Sequence, residues 1–224
     1  EAILSGEAHS RANIDLPGAQ EELIKVLAKT GKPIVLVIMA GRPITITNII
    51  DKIDVVLMGW HPGTMGGEAL YEIINGISSP EGRLPISWPK TAGQLPYFYN
   101  HKNTGRPADS INFVHIDKIP IAAWQSSLGN DSHYLDAGFT PHFPFGYGLT
   151  YTTFSYSNIS ISKESIKFNE DLNVKVNVTN TGKKAGKETV QLYIQDVVGS
   201  ITRPVKELKR FQHVFLKSGE SKEV

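Results

Sequence analysis

The segment GKPIVLVIMAGRP, residues 31–43, turns within a few residues from a helix stop into a buried strand. Ile34 to Met39 is an apolar run with no polar alternation, which is how a strand covered on both faces reads. Upstream, AQEELIKVLAKT (residues 19–30) places Leu23, Ile24 and Leu27 on one face at helical spacing, and Gly31 ends that helix as a C-terminal cap. Downstream, Ile44 to Asp51 reads as a short helix and Asp54 to Gly59 as a second buried strand. Gly66 to Ile77 then reads as a helix with Leu70, Ile73 and Ile74 toward the sheet. Helix and strand alternating in this way specify an α/β fold, an open and mostly parallel sheet with flanking helices.

In such sheets ligands bind beyond the carboxyl ends of the strands. Those ends carry Ala40-Gly41-Arg42 and Trp60-His61-Pro62-Gly63. Trp60 and His61 therefore stand where a ligand would sit, with a tryptophan packed into the core as the other reading. The glycines of Gly63-Thr64-Met65-Gly66-Gly67 lack the Lys-Ser/Thr ending of a phosphate-binding loop. Their expected role is close packing at a strand-to-helix corner. Residues 1–18 have no regular period and read as a loop.

From Ser78 to Gly148 the texture changes to prolines, glycines and aromatics, too long a stretch for an idle connection. Trp88, Tyr97, Phe98, Trp124 and Phe143 give it enough apolar area to order, so it is expected to pack on the first domain. Beyond Tyr151 the period becomes two. Leu172, Val174, Val176 and Val178 alternate with polar residues, Asn180-Thr181-Gly182 turns the chain, and Val190, Leu192 and Ile194 return. This is the pattern of an all-β immunoglobulin-like or fibronectin III-like sandwich, and the residues after 150 are fewer than the roughly 100 such a fold needs. The sandwich is therefore expected to be incomplete, with domains at 1–150 and 151–224.

Composition narrows the partners. With 23 basic and 22 acidic residues, the net charge of +1 gives no field to attract nucleic acid or an anionic membrane. The longest apolar runs, residues 34–40 and 55–60, fall far short of the roughly 20 residues a spanning helix needs. A neutral, polar partner fits best. Without cysteine there are no disulfides or thiolate metal sites, and no His, Asp and Glu grouping has metal-ligand spacing, so no cofactor is expected. Serine, histidine and aspartate occur, but not in a nucleophile-elbow context.

The ordered phrases SGEAHSRANIDLPGAQ (5–20), GKPIVLVIMAGRP (31–43), GWHPGTMGGEAL (59–70), SPEGRLPISWPK (79–90), LPYFYNHKNTGRP (95–107) and FPFGYGLTYTTFSYSNISIS (143–162) resemble family 3 glycoside hydrolases, especially periplasmic β-glucosidases of Gram-negative bacteria. The resemblance runs from Glu1 to Val224. It implies a barrel, an α/β sandwich and a fibronectin III-like domain, of which this chain matches only the later part of the sandwich and most of the third domain. Glu7 matches the family's acid/base glutamate on a sandwich loop. The nucleophilic aspartate belongs to the barrel, which has no counterpart here, so this chain alone is expected to be inactive. No cofactor is implied.

In resembling enzymes the loop holding His101 and Arg106 reaches toward the leaving-group sugar, which makes Arg106 a candidate hydroxyl-binding residue and His101 a candidate substrate-binding residue. Trp60, with His61 beside it, is a candidate to line the sugar site through the apolar face of a pyranose. The other role for Arg106 is to tie its loop down. Arg11 is assigned to bracing the Glu7 loop through another partner, because pairing with Glu7 would oppose the raised pKa an acid needs. The resemblance also implies an exported protein, periplasmic or secreted. A noncatalytic carbohydrate-binding or interaction module is the alternative from another class.

Overall fold

The computed structural model describes residues 8–124 and 129–224. Helix α1 spans Gln20–Ala28, with Glu21 and Glu22 in its first turn and Lys25 in its last, each sign placed to suit the helix dipole. Lys25 Nζ also donates to Glu22 Oε1 at 2.7 Å. Strands β1 (Val35–Ile38) and β2 (Val55–Met58) run parallel in the register Val35↔Val55 to Ile38↔Met58. Pairing continues at both ends. Asp54 Oδ2 accepts from Ile34 N at 2.7 Å, and Ile38 O accepts from Gly59 N at 2.9 Å. Helix α2 covers Gly66–Ile74, three residues short of the expected end.

Three sequence expectations need correction. The stretch Ile44–Asp51 is not a helix: Thr45 pairs with Asp15 in a parallel bridge, and only Ile50–Lys52 forms a 3₁₀ turn. Its isoleucines and threonines are β-branched and resist helical rotamers, while Ile44, Ile46 and Ile49 insert into the core at 2%, 1% and 0% exposure. The strands are not covered on both faces, since Val35, Met39 and Val55 stand exposed. Of the expected α1 face only Ile24 is buried, with Leu23 and Leu27 exposed. The cause is common to the last two: among the described residues the parallel sheet has two strands, too narrow to cover a full helix stripe.

The described residues form two compact units. The first holds those up to Leu70, those from Leu84 to Tyr147, and Gln195–Lys206; the second holds Tyr71–Arg83, Gly148–Ile194 and Glu207–Val224. The first unit's core gathers Ile24, Ile38, Ala40, Ile44, Ile46, Ile49 and Trp88. Its long irregular stretch is ordered by specific bonds. Buried Gln94 accepts from Lys90 N at 2.7 Å and donates to Thr140 O at 3.2 Å, and Tyr97 OH donates to Phe139 O at 2.8 Å. No helix among the described residues is long and apolar enough to cross a membrane.

The second unit is antiparallel. β3 (Phe154–Ile161), β4 (Val174–Asn180) and β7 (Ser221–Glu223) form one sheet in the order β3-β4-β7, and β5 (Gly186–Ile194) pairs with β6 (Glu207–Leu216) in another. Val178, Val214 and Leu216 bury between them. A nearly buried ion pair joins Arg83 Nη2 to Glu188 Oε2 at 3.0 Å. Tyr156 OH donates to the other carboxylate oxygen at 3.2 Å, and burial together with the Glu188 charge holds that phenol above its usual pKa and protonated.

At the end of β4 lies the fully buried Asn180. Its Nδ2 donates to Lys184 O at 2.8 Å and Leu216 O at 3.0 Å, while Oδ1 accepts from Thr152 Oγ1 at 2.6 Å and Gly182 N at 3.0 Å. All four of its bonding positions are filled. Asn180→Leu keeps the volume but leaves two buried and two partly buried polar groups without their partner, so urea denaturation should show a loss of about 3–5 kcal/mol. A loss below about 1 kcal/mol would mean that water reaches those groups.

Candidate functional site

The carboxyl ends of β1 and β2 converge on a strained corner. Trp60, two residues past β2, has φ of +51°, a left-handed conformation that a bulky side chain rarely adopts and that costs about 1–3 kcal/mol. Its indole is half-buried against Trp88, with ring centroids 6.5 Å apart at 54°. Trp88 itself is 2% exposed and donates from Nε1 to Ile44 O at 2.9 Å. His61 is exposed, with its ring across Gly41: a Cβ at residue 41 would lie 2.7 Å from His61 Nε2. At Gly66 a Cβ would overlap Pro62, so this glycine serves the close packing expected of the corner.

The loop that follows Glu7 is fastened to the end of β1. Glu7 lies outside the described residues. Arg42 Nη1 donates to Ser10 Oγ at 2.8 Å and Arg11 O at 3.2 Å. Thr45 N donates to Ile14 O at 2.9 Å, and Thr45 Oγ1 donates to Asp15 Oδ1. Arg11 Nη2 donates to Asp15 O at 2.7 Å.

His101 and Arg106 share a second loop. Tyr99 stacks on Phe145 with centroids 4.1 Å apart, anchoring the loop's start. His101 Nδ1 donates to Lys102 O at 3.0 Å, and His101 O accepts from Val205 N at 2.9 Å. Arg106 is held through its backbone, its carbonyl accepting from Ser132 N at 2.9 Å. Its guanidinium is exposed and makes no hydrogen bond or ion pair among the described residues. Among the described residues, the hydrogen bond that holds the loop at Arg106 is made by its backbone. No hydrogen bond or ring contact among the described residues joins Trp60 or His61 to His101 or Arg106.

The chain matches the glycosyl hydrolase family 3 C-terminal domain over residues 1–151 and a fibronectin type III-like domain over residues 188–224. It belongs to glycoside hydrolase family 3. A periplasmic β-glucosidase of Salmonella typhimurium is 41% identical over 221 residues, covering 99% of this chain and 27% of that protein. A β-xylosidase of Formosa agariphila is 39% identical over 219 residues, with 98% and 27% covered. The crystal structure of a Listeria innocua β-glucosidase in complex with isofagomine superposes with a TM-score of 0.87 at 41% identity, covering 98% of this chain and 29% of that one. The chain thus spans about a quarter of the length of these relatives.

Within this family 3 chain, two features escaped the sequence reading. Arg42 was visible at a strand end, but its bonds to Ser10 and Arg11 depend on tertiary placement. Gln195–Lys206 connects β5 to β6 yet belongs to the first unit, where Pro204 bridges Lys102. Its signal was length, since a hairpin rarely needs so long a connection. Among the described residues no group of three or more His, Cys, Asp or Glu side chains is placed to hold a metal ion.

Because two of the bonds fastening Ser10 and Arg11 come from one side chain, Arg42→Ala should loosen residues 9–15 without unfolding the core. Hydrogen exchange should quicken at least tenfold at Asp15 and Thr45 while the amides of β1 and β2 keep their protection. Equal exchange at Asp15 and Thr45 in both proteins would mean that the Thr45 bonds suffice.

Proposed function

We propose that this chain is the C-terminal part of a retaining, exo-acting β-glycosidase, in the first instance a β-glucosidase, that releases terminal β-linked glucose from oligosaccharides or glycosides. Glu7 is its general acid/base, and the nucleophile is an aspartate on a barrel domain outside this chain. The domains divide as 1–150, part of the α/β sandwich, and 151–224, fibronectin III-like. The protein is exported to the periplasm or beyond, in keeping with the periplasmic relative. The observation that carries this reading is the fastening of Ser10–Asp15 by Arg42 and Thr45 at the end of β1, in a family 3 chain. A catalytic carboxyl has to be held to within a fraction of an ångström, and an anchored loop supplies that constraint.

The chemistry follows from two carboxyl groups about 5–5.5 Å apart. The aspartate attacks the anomeric carbon while the Glu7 carboxyl gives its proton to the departing glycosidic oxygen. The Glu7 carboxylate then takes a proton from water, which attacks the glycosyl-enzyme from the same face and restores the β configuration. A general acid must be partly protonated near neutral pH, which burial or a neighbouring carboxylate can arrange by raising its pKa. Arg106, His101 and Trp60 contact sugar hydroxyls and ring faces.

In the full-length protein, Glu7→Gln should cut disaccharide hydrolysis about 10²–10⁴-fold, the usual worth of general acid–base catalysis. Dinitrophenyl glucoside, whose leaving group needs little protonation, should still form the intermediate, give a burst and then stall. Azide needs no base and should restore turnover as β-glycosyl azide. Disaccharide hydrolysis near wild type, or a trapped intermediate that azide does not release, would remove Glu7 from the mechanism.

Arg106→Ala in the same protein should lower kcat/KM for disaccharides about tenfold while sparing aryl glucosides, because the lost contacts exist only when a leaving-group sugar is present. Equal losses on both substrates, with a lower melting temperature, would assign Arg106 to loop support instead.

A further inference from the structure

The connection Gln195–Lys206 builds a concavity of about 510 Å³ that the proposed chemistry leaves unused. Its walls are residues 195–205 and Asn103, all of the first unit, and its size falls in the range of small-molecule sites. Arg203, Pro204 and Val205 are half-buried members of that lining, fixed to the second loop by Val205 N donating to His101 O and by the bridge between Pro204 and Lys102. Asn103 lies between His101 and Arg106, so the groove is lined in part by the loop that carries the residues proposed for the leaving-group sugar.

We infer that this groove is an outer sugar site, which holds the units of a neutral linear oligosaccharide beyond the leaving-group ring. It rests on the glycosidase reading for the direction in which the chain runs, and on its own lining for the ligand class. Three features of the lining select a neutral sugar. Its one cation and one anion compensate each other, Arg203 Nε standing 3.5 Å from Asp196 Oδ2 with both side chains partly exposed. A phosphate or uronate would meet that carboxylate, whereas a pair of hydroxyls can bridge both groups.

Uncommitted hydrogen-bonding groups line the same space. Asn103 uses Oδ1 to accept from Gly105 N at 3.0 Å, which leaves its Nδ2 as a donor. The side chains of Gln195, Ser200 and Thr202 make no hydrogen bond among the described residues. Apolar area accompanies them: Val197, Val198 and Ile201 are 82%, 89% and 66% exposed. A pyranose offers equatorial hydroxyls around apolar C–H faces, and this combination of polar groups with an aliphatic rim matches it. No aromatic ring lines the groove, so stacking adds nothing and the affinity belongs in the millimolar range.

The test uses the full-length protein with two β-thio-linked probes that resist hydrolysis, a glucobiose and a glucotetraose, titrated by calorimetry or ligand-observed NMR. The wild type should bind the tetraose about tenfold more tightly than the biose. In the double variant Gln195→Ala/Thr202→Val, both positions exposed, that ratio should fall to about one while the biose affinity shows that the protein is folded. A ratio near one in the wild type, or a ratio kept in the double variant, overturns the outer site. A wild type that fails to hydrolyse any β-glucoside or β-xyloside sinks the glycosidase reading instead, and the titration still decides the groove.

Discussion

Trp88 is the residue on which the first unit's candidate site depends. Its backbone N–H reaches Phe143 O at 2.8 Å, its carbonyl accepts from His142 N at 2.7 Å, and its indole N–H is spent on Ile44 O. One buried side chain therefore ties together the turn after β1, the irregular stretch that ends near Phe143, and the corner after β2, where Trp60 leans on it. The strain of a left-handed tryptophan persists only where the surroundings over-determine it. Here the indole of Trp88 packs against that of Trp60 and limits its freedom to relax. Next to this cluster, burial and the nearby Lys90 charge lower the pKa of His142, so its ring is neutral near pH 7 and adds no charge to the corner.

The residues proposed for recognition in the first unit lie on loops, and each loop is held by its main chain or by a partner from elsewhere. Arg42 reaches back to Ser10 and Arg11, while Ser132 and Val205 hold the carbonyls of Arg106 and His101. Under the proposed function, this division leaves those side chains to meet a ligand at little cost in order. An arginine whose loop is already fixed through its carbonyl gives up mainly its own rotamer entropy on meeting a hydroxyl. The second unit follows the opposite rule. Asn180, Thr152, Arg83, Glu188 and Tyr156 spend their polar groups on one another, as a framework does.

How much of this was legible in the sequence differs by element. β1 and β2 were plain because six apolar residues without polar alternation leave few choices, and the period-two stretch around Val174–Val178 was equally direct. The Ile44–Asp51 stretch misled because apolar spacing alone cannot separate a short helix from an extended segment that buries three isoleucines; β-branching was the signal to weigh. The exposed faces of α1 and β1 could not be read, since periodicity shows which residues seek cover but not how many strands supply it. At the site, the glutamate and arginine stood out only through the resemblance, and no local pattern announces that Arg42 will meet Ser10. The groove was hidden most deeply, because its walls come from Asn103 and a segment some ninety positions later, joined by two main-chain contacts.

That separation has a bearing on synthesis. Gln195–Lys206 belongs to the first unit although β3, β4 and β5 are made before it. A ribosome releases the chain from its N-terminus, and a domain formed from contiguous sequence can finish folding while the next one is still being translated. Here the loop holding His101 must wait for Val205, so the first unit reaches its final form only after much of the second has emerged. Until then that loop lacks the main-chain partner that Val205 supplies, which makes this interval, more than the finished protein, the point at which a holdase chaperone or a slow codon would change the yield.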